Sequence, residues 1–176
     1  MQQPDTAAQI QQAWQRELPG VPTGSIGIIT RIWRGAKLLS DERRRTLSRL
    51  GIDRATLDLL SVLRRSGVPY RLTTSELAAR SLVSAGAITQ RVARAEAAGF
   101  VEVSRTASGA RTTGVTLTAE GHRWVDRSVT ELLTAEEDLV EHLSPDELAE
   151  LARLLESFLT GLHVRLGVPD TPEAGH

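Results

Sequence analysis

The chain has 176 residues and a formal net charge of -1, enough for one domain with a real core plus oligomerisation helices. It has no cysteine, which excludes disulfides, thiolate zinc sites and a thiol redox sensor, and fits a cytoplasmic protein. Charge is unevenly placed: eight arginines face three glutamates between Leu60 and Arg111, whereas eleven acids face three arginines between Glu120 and Thr160. A basic middle and an acidic C-terminal part predict that one face meets a polyanion. Lys37 is the one lysine.

Met1 to Gln12 is polar, with no apolar signal core, and no apolar run is long enough to span a bilayer, so no membrane partner is expected. Thr6 to Leu18 reads as a short helix, with Ala7, Ile10, Ala13 or Trp14, and Leu18 near one face. Pro19-Gly20 ends it and Pro22 to Gly24 is a connector. Ser25 to Leu50 reads as a longer helix with a wide apolar stripe of Ile28, Ile29, Ile32, Trp33, Ala36 and Leu39, ended by Gly51. Asp53 or Thr56 opens the next helix, with Leu57, Leu60, Val62 and Leu63 inward, and Ser66 to Pro69 is a turn.

Leu72 to Thr118 is the most informative stretch. Thr73 and Glu76 have capping-box spacing, so a helix starts there and runs through Leu77, Ala78 and Leu82. Ser84 caps a second helix from Ala85 to Ala98, stopped by Gly99. Phe100 to Arg105 and Thr112 to Leu117 read as strands, with Val101, Val103, Val115 and Leu117 alternating. Between them, Thr106 to Arg111 is expected to be a mobile loop with a positive tip. Thr118 then caps a helix through about His142, and Ser144-Pro145-Asp146-Glu147 starts the last one. That helix is apolar on more than one side, through Leu148, Leu151, Leu154, Leu155, Phe158, Leu159 and Leu162. One side is expected to cover its own domain and the other a second copy. Gly167 to His176 is expected to be a frayed tail.

The fold class expected is mainly α with a small β-hairpin wing: a winged helix-turn-helix dimerised through N- and C-terminal helices. The segments are 1–24 (extra helix and connector), 25–50 (dimerisation helix), 51–118 (DNA-binding domain), 119–167 (C-terminal dimerisation helices) and 168–176 (tail). Such a module puts one helix in the major groove of duplex DNA, and a wing arginine in a neighbouring groove or on the phosphates. In the second helix Ile88, Val92 and Ala95 have core spacing, which leaves Ser84, Ala87, Gln90, Arg91 and Arg94 on other faces. Gln90 suits adenine, and Arg94 guanine or phosphate. Thr73, Thr74 and Ser75 open a helix that could hold a phosphate.

In this order the elements resemble the MarR family of bacterial transcription regulators, over about Ser25 to Leu162. The resemblance rests on Ser84-Ala85-Gly86-Ala87-Ile88-Thr89-Gln90-Arg91 through Gly99-Phe100-Val101, on Val115 to Gly121, and on Leu143-Ser144-Pro145-Asp146-Glu147-Leu148. It implies a dimer held by the N- and C-terminal helices. The family's wing often carries an Asp-x-Arg-Arg tip; here Arg105 to Thr112 holds no aspartate, and Arg111 is the residue assigned to the minor groove or backbone. Trp14, Asp58 and Arg91 further resemble the urate-responsive branch, which adds a tryptophan-bearing N-terminal helix. That branch also carries an arginine in the first wing strand, where this chain has Val103, with Arg105 two residues on.

The resemblance implies an anion site of Trp14, Asp58, Arg91 and Arg105. The residue types suit a planar anion: a guanidinium fork, a flat indole face, and an aspartate that the anion would repel from Arg91. The same residues also suit plain structure, with Trp14 a staple and Asp58–Arg91 an ion pair. The expected function is a homodimeric repressor released from a pseudo-palindromic operator by a small organic anion. The alternative is the same regulator controlled by a protein partner or by abundance. No cofactor is expected. No Gly-x-Ser-x-Gly elbow, phosphate-binding glycine loop or His-Glu-x-x-His is present, and His122, His142, His163 and His176 lack metal-ligand spacing, so an enzyme is not expected.

Overall fold

The computed structural model describes residues 5–105 and 113–168. The wing tip Thr106 to Arg111 and most of the expected tail lie outside them. The elements run α1 (Thr6–Glu17), α2 (Ile26–Leu50), α3 (Arg54–Arg65), β1 (Arg71–Thr73), α4 (Thr74–Ser81), α5 (Ala85–Ala97), β2 (Val101–Arg105), β3 (Thr113–Leu117), α6 (Ala119–Glu137) and α7 (Pro145–Leu166). Contacts divide the chain into residues 1–46 and 47–176, with the boundary inside α2.

In the first unit, Asp5 caps α1 by accepting the Ala8 N–H at 3.0 Å. Arg31 on α2 grips the same carboxylate through two 2.9 Å bonds. Both groups are about half exposed, so this fork fixes geometry more than it stabilises. Ala7 is buried, whereas Ile28, Trp33, Leu38 and Leu39 on α2 are exposed.

The second unit is built around α3. Leu57, Leu59, Leu60, Val62 and Leu63 are all buried, so α3 is covered on more than one side. It packs against α4, α5, α6 and β3. Leu77, Ile88, Val92, Ala95, Val115, Val125 and Leu132 complete the core from those elements. The sheet is antiparallel in the order β1-β3-β2, with Leu72 opposite Val115 and Val103 opposite Val115 from the other side. Its inner face is Leu72, Val101, Val103, Val115 and Leu117; register places Arg71, Thr73, Glu102, Ser104, Gly114 and Thr116 on the other face.

Several expectations need correction. Strand β1 was not foreseen. Helix α4 ends at Ser81, with Leu82 in the left-handed region at φ 49°, so Leu82 belongs to the turn into α5. Helix α6 stops at Glu137 rather than near His142: its last turn holds Glu136 and Glu137 and no basic residue, and those charges repel the negative end of the helix dipole. No residue of α7 is buried, so neither of its apolar sides covers its own unit in the way expected.

Both foreseen capping boxes form. Glu76 accepts the Thr73 N–H and Glu147 accepts the Ser144 N–H, each at 2.8 Å. That backbone bond, then the cap hydroxyl, holds each carboxyl below its ordinary value of 4.5. A carboxyl with a lowered folded value stabilises the fold above its unfolded value and loses that contribution as pH falls through the folded one. Thermal midpoints should therefore be flat near neutrality and fall below pH 4.5. Glu76→Gln with Glu147→Gln, which keeps the caps, should make that fall shallower in circular-dichroism melts at stepped pH. The remaining slope then belongs to the other carboxyls held low, Asp5, Asp41, Asp53, Asp126 and Glu150.

Candidate nucleic-acid interface and the buried aspartate beneath it

Helices α4 and α5 form the helix-turn-helix. Ser84 caps α5 by accepting the Ala87 N–H, and Ile88, Val92 and Ala95 bury its inner face. On the outer face Ala87, Gln90 and Arg94 fall three and four residues apart, so they share one stripe. Gln90 and Arg94 are exposed and Ala87 is half-buried. The Thr89 hydroxyl is turned back onto the Ala85 carbonyl at 2.8 Å, which leaves Gln90 and Arg94 as the long polar side chains of this face. Arg94 also acts on Asp53: the Thr56 hydroxyl, then its N–H, hold the Asp53 carboxyl below its usual range, and the Arg94 charge adds to this.

At the start of α4 the Thr73 hydroxyl and N–H are both engaged with Glu76. Thr74 is half-buried and Ser75 exposed, and they remain as the available groups there. Arg111 lies outside the described residues.

Arg91 behaves differently from Gln90 and Arg94. Its side chain is 20% exposed, and its Nη1 lies 3.9 Å from Oδ2 of Asp58 on α3. Asp58 is buried among the α3 leucines. The structure thus brings together two residues of the expected anion site. Arg105 ends β2 opposite Thr113, two residues beyond Val103, which packs against the core. Trp14 lies on α1 in the other unit and is 48% exposed.

Two residues were missed by sequence reasoning. Arg54 places Nε 3.8 Å from the same Asp58 oxygen, and its i,i+4 spacing to Asp58 was a readable signal. Arg71 spans the outer face of the wing sheet and donates to Ser104 Oγ at 2.9 Å. Nothing local marked it, because β1 is three residues long and is defined by pairing with β3.

Among the described residues no group of three or more His, Asp or Glu side chains could hold a metal ion, and no helix is long and apolar enough to cross a membrane.

A core-anchored helix with an exposed polar stripe, a preceding helix and a three-stranded wing define a winged helix-turn-helix DNA-binding protein. The MarR family model matches residues 50–112. The HTH-type transcriptional regulator PecS of Dickeya dadantii is 27% identical over 146 residues, which cover 83% of this chain and 88% of that protein. Apo MarR from E. coli superposes with a TM-score of 0.62 at 26% identity, over 74% of this chain and 96% of its own. BpsR of Bordetella bronchiseptica, whose DNA binding is regulated by 6-hydroxynicotinic acid, shares the fold at a TM-score of 0.61 and 19% identity, over 80% and 99%. Over residues 50–112 the chain is similar to the MarR family, and the fold it shares with these relatives is that of a DNA-binding transcription regulator.

Proposed function

We propose that the protein is a cytoplasmic homodimeric repressor that binds a pseudo-palindrome with half-sites about one helical turn apart. A small planar organic anion, urate-like or a related acid, releases it. The observation that carries this reading is the Arg91–Asp58 pair beneath α5. A recognition-helix arginine turned inward onto a buried carboxylate is a handle by which a ligand can reach the DNA-reading surface. An anion that takes the Arg91 guanidinium in a bidentate grip competes with Asp58 and is repelled by it. Its binding favours whichever placement of α5 separates the two charges. The shift is no larger than the anion's differential affinity for the two placements. BpsR shows that an aromatic acid regulates DNA binding on this fold. Dimerisation is supported by the apolar faces left open on α2 and α7, including Trp33 at 73% exposure and Leu154 at 51%.

The test is fluorescence anisotropy on labelled DNA from the intergenic region beside the protein's own gene. At fixed salt, protein is titrated first, then urate and a panel of aromatic and carboxylic acids. Binding reversed by one anion, with Arg91→Ala abolishing the reversal, is the expected result. Binding indifferent to every anion would reject the ligand and leave a regulator controlled by protein partner or abundance.

A further inference from the structure

Asp58 has two cations, not one. Arg54 Nε and Arg91 Nη1 approach the same oxygen, Oδ2, at 3.8 Å and 3.9 Å. Neither distance is a hydrogen bond, so the carboxylate is shared between two loosely held guanidiniums. Their settings differ: the Arg54 side chain is 64% exposed, against 20% for Arg91 and 10% for Asp58. Asp53, the other acid near the start of α3, is occupied by the Thr56 N–H and hydroxyl at 2.9 Å and 2.7 Å.

The two cations also differ in what carries them. Arg91 belongs to α5 and moves with the recognition helix. Arg54 shares α3 with Asp58, one turn away, and keeps its place whatever α5 does. A buried carboxylate stripped of every partner is strongly destabilising. Were Arg91 its sole partner, an anion drawing Arg91 away would have to overcome that whole penalty. We propose that Arg54 is the standing partner that holds Asp58 when Arg91 is engaged elsewhere, so the recognition helix can be released without leaving a bare buried charge. Arg54 is a positioning residue. The identity of the competitor as an anion rests on the function proposed above; the two-partner arrangement does not.

The decisive experiment is a double-mutant cycle on the full chain with no anion present. Arg54→Ala and Arg91→Ala each leave Asp58 one partner, so each should lower Tm slightly. Together they should lower it by roughly 10 °C more than the two separate losses added. Asp58→Asn in the double variant should remove that excess, or restore folding if the double variant does not fold. Additive losses, or an excess that Asp58→Asn leaves in place, would overturn the proposal. A second readout is the urate titration of the operator complex. Arg54→Ala should raise the urate midpoint roughly tenfold, with operator affinity itself little changed, and an unmoved midpoint would also overturn it. A wild type indifferent to all anions would reject the ligand reading alone, since the cycle uses none.

Discussion

Gly121→Ala is expected to cripple the fold. A Cβ at this position would drive into the Phe100 carbonyl oxygen, and would sit 2.9 Å from the Phe100 carbonyl carbon and 3.1 Å from Leu117 Cδ2. The obstacle is backbone that must itself move, in the segment that joins α5 to β2. Gly121 is buried in the first turn of α6, where its N–H donates to the capping Thr118 hydroxyl at 3.0 Å. Thr118 in turn donates to the Gly99 carbonyl and takes the Phe100 carbonyl through its own N–H. The methyl group would therefore prise apart the junction of α5, the wing and α6 together. A loss of about 3 kcal/mol or more is expected, a fall in Tm of roughly 6–12 °C. Gly114→Ala is the control. There a Cβ also collides, but with the Arg71 guanidinium, Cζ at 2.9 Å, which is the end of a flexible exposed side chain. Arg71 can swing away at the expense of its bond to Ser104, so the loss should stay below about 1 kcal/mol. Equal melting temperatures for the two variants would mean that the α5–wing–α6 junction is softer than its bonds imply.

The contrast between these glycines shows where the sequence is readable. Thr73, Ser84, Thr118 and Ser144 were identified as caps, because a cap is a bond between residues three apart and is written locally. The inward stripes of α3 and α5 were legible for the same reason. Gly121 was visible as part of Val115 to Gly121, but its purpose was not, since the Phe100 carbonyl that requires it is twenty-one residues upstream only by subtraction of sequence numbers and adjacent only in the fold. Strand β1 escaped for a related cause: Arg71, Leu72 and Thr73 carry no usable period, and they become a strand because β3 returns beside them. The early end of α6 could have been read from Glu136, Glu137 and Asp138 in a last turn that holds no basic residue.

The site divides in the same way. The exposure of Gln90 and Arg94 follows from the spacing of Ile88, Val92 and Ala95. Asp58 came from resemblance, because an aspartate between Leu57 and Leu59 reads equally well as a solvated position. Its burial, and the inward turn of Arg91, depend on how α5 crosses α3. Arg54 stood in plain view at helical spacing from Asp58, but an i,i+4 pair is usually a surface feature and gains meaning here only from the burial of one member.

The second large effect concerns DNA. Gln90→Ala is expected to lower operator affinity roughly ten- to hundredfold, as loss of a bidentate base contact would, while binding to unrelated DNA and the salt dependence stay as they were. Arg94→Ala should cost as much if it reads guanine; if it holds phosphate, both DNAs should lose affinity and the slope of log K against log salt should flatten by about one per copy. Arg91→Ala should behave unlike either. Its guanidinium faces Asp58 and is 20% exposed, so operator affinity should change less than about threefold while the response to anions disappears. Anisotropy titrations of the three variants on operator and scrambled duplexes, at two salt concentrations, separate these outcomes. Should Arg91→Ala weaken operator binding as much as Gln90→Ala, Arg91 must leave Asp58 to reach the DNA. Asp58 and the operator would then be competitors for one guanidinium, and Arg54 would hold Asp58 in the DNA-bound protein instead of the released one.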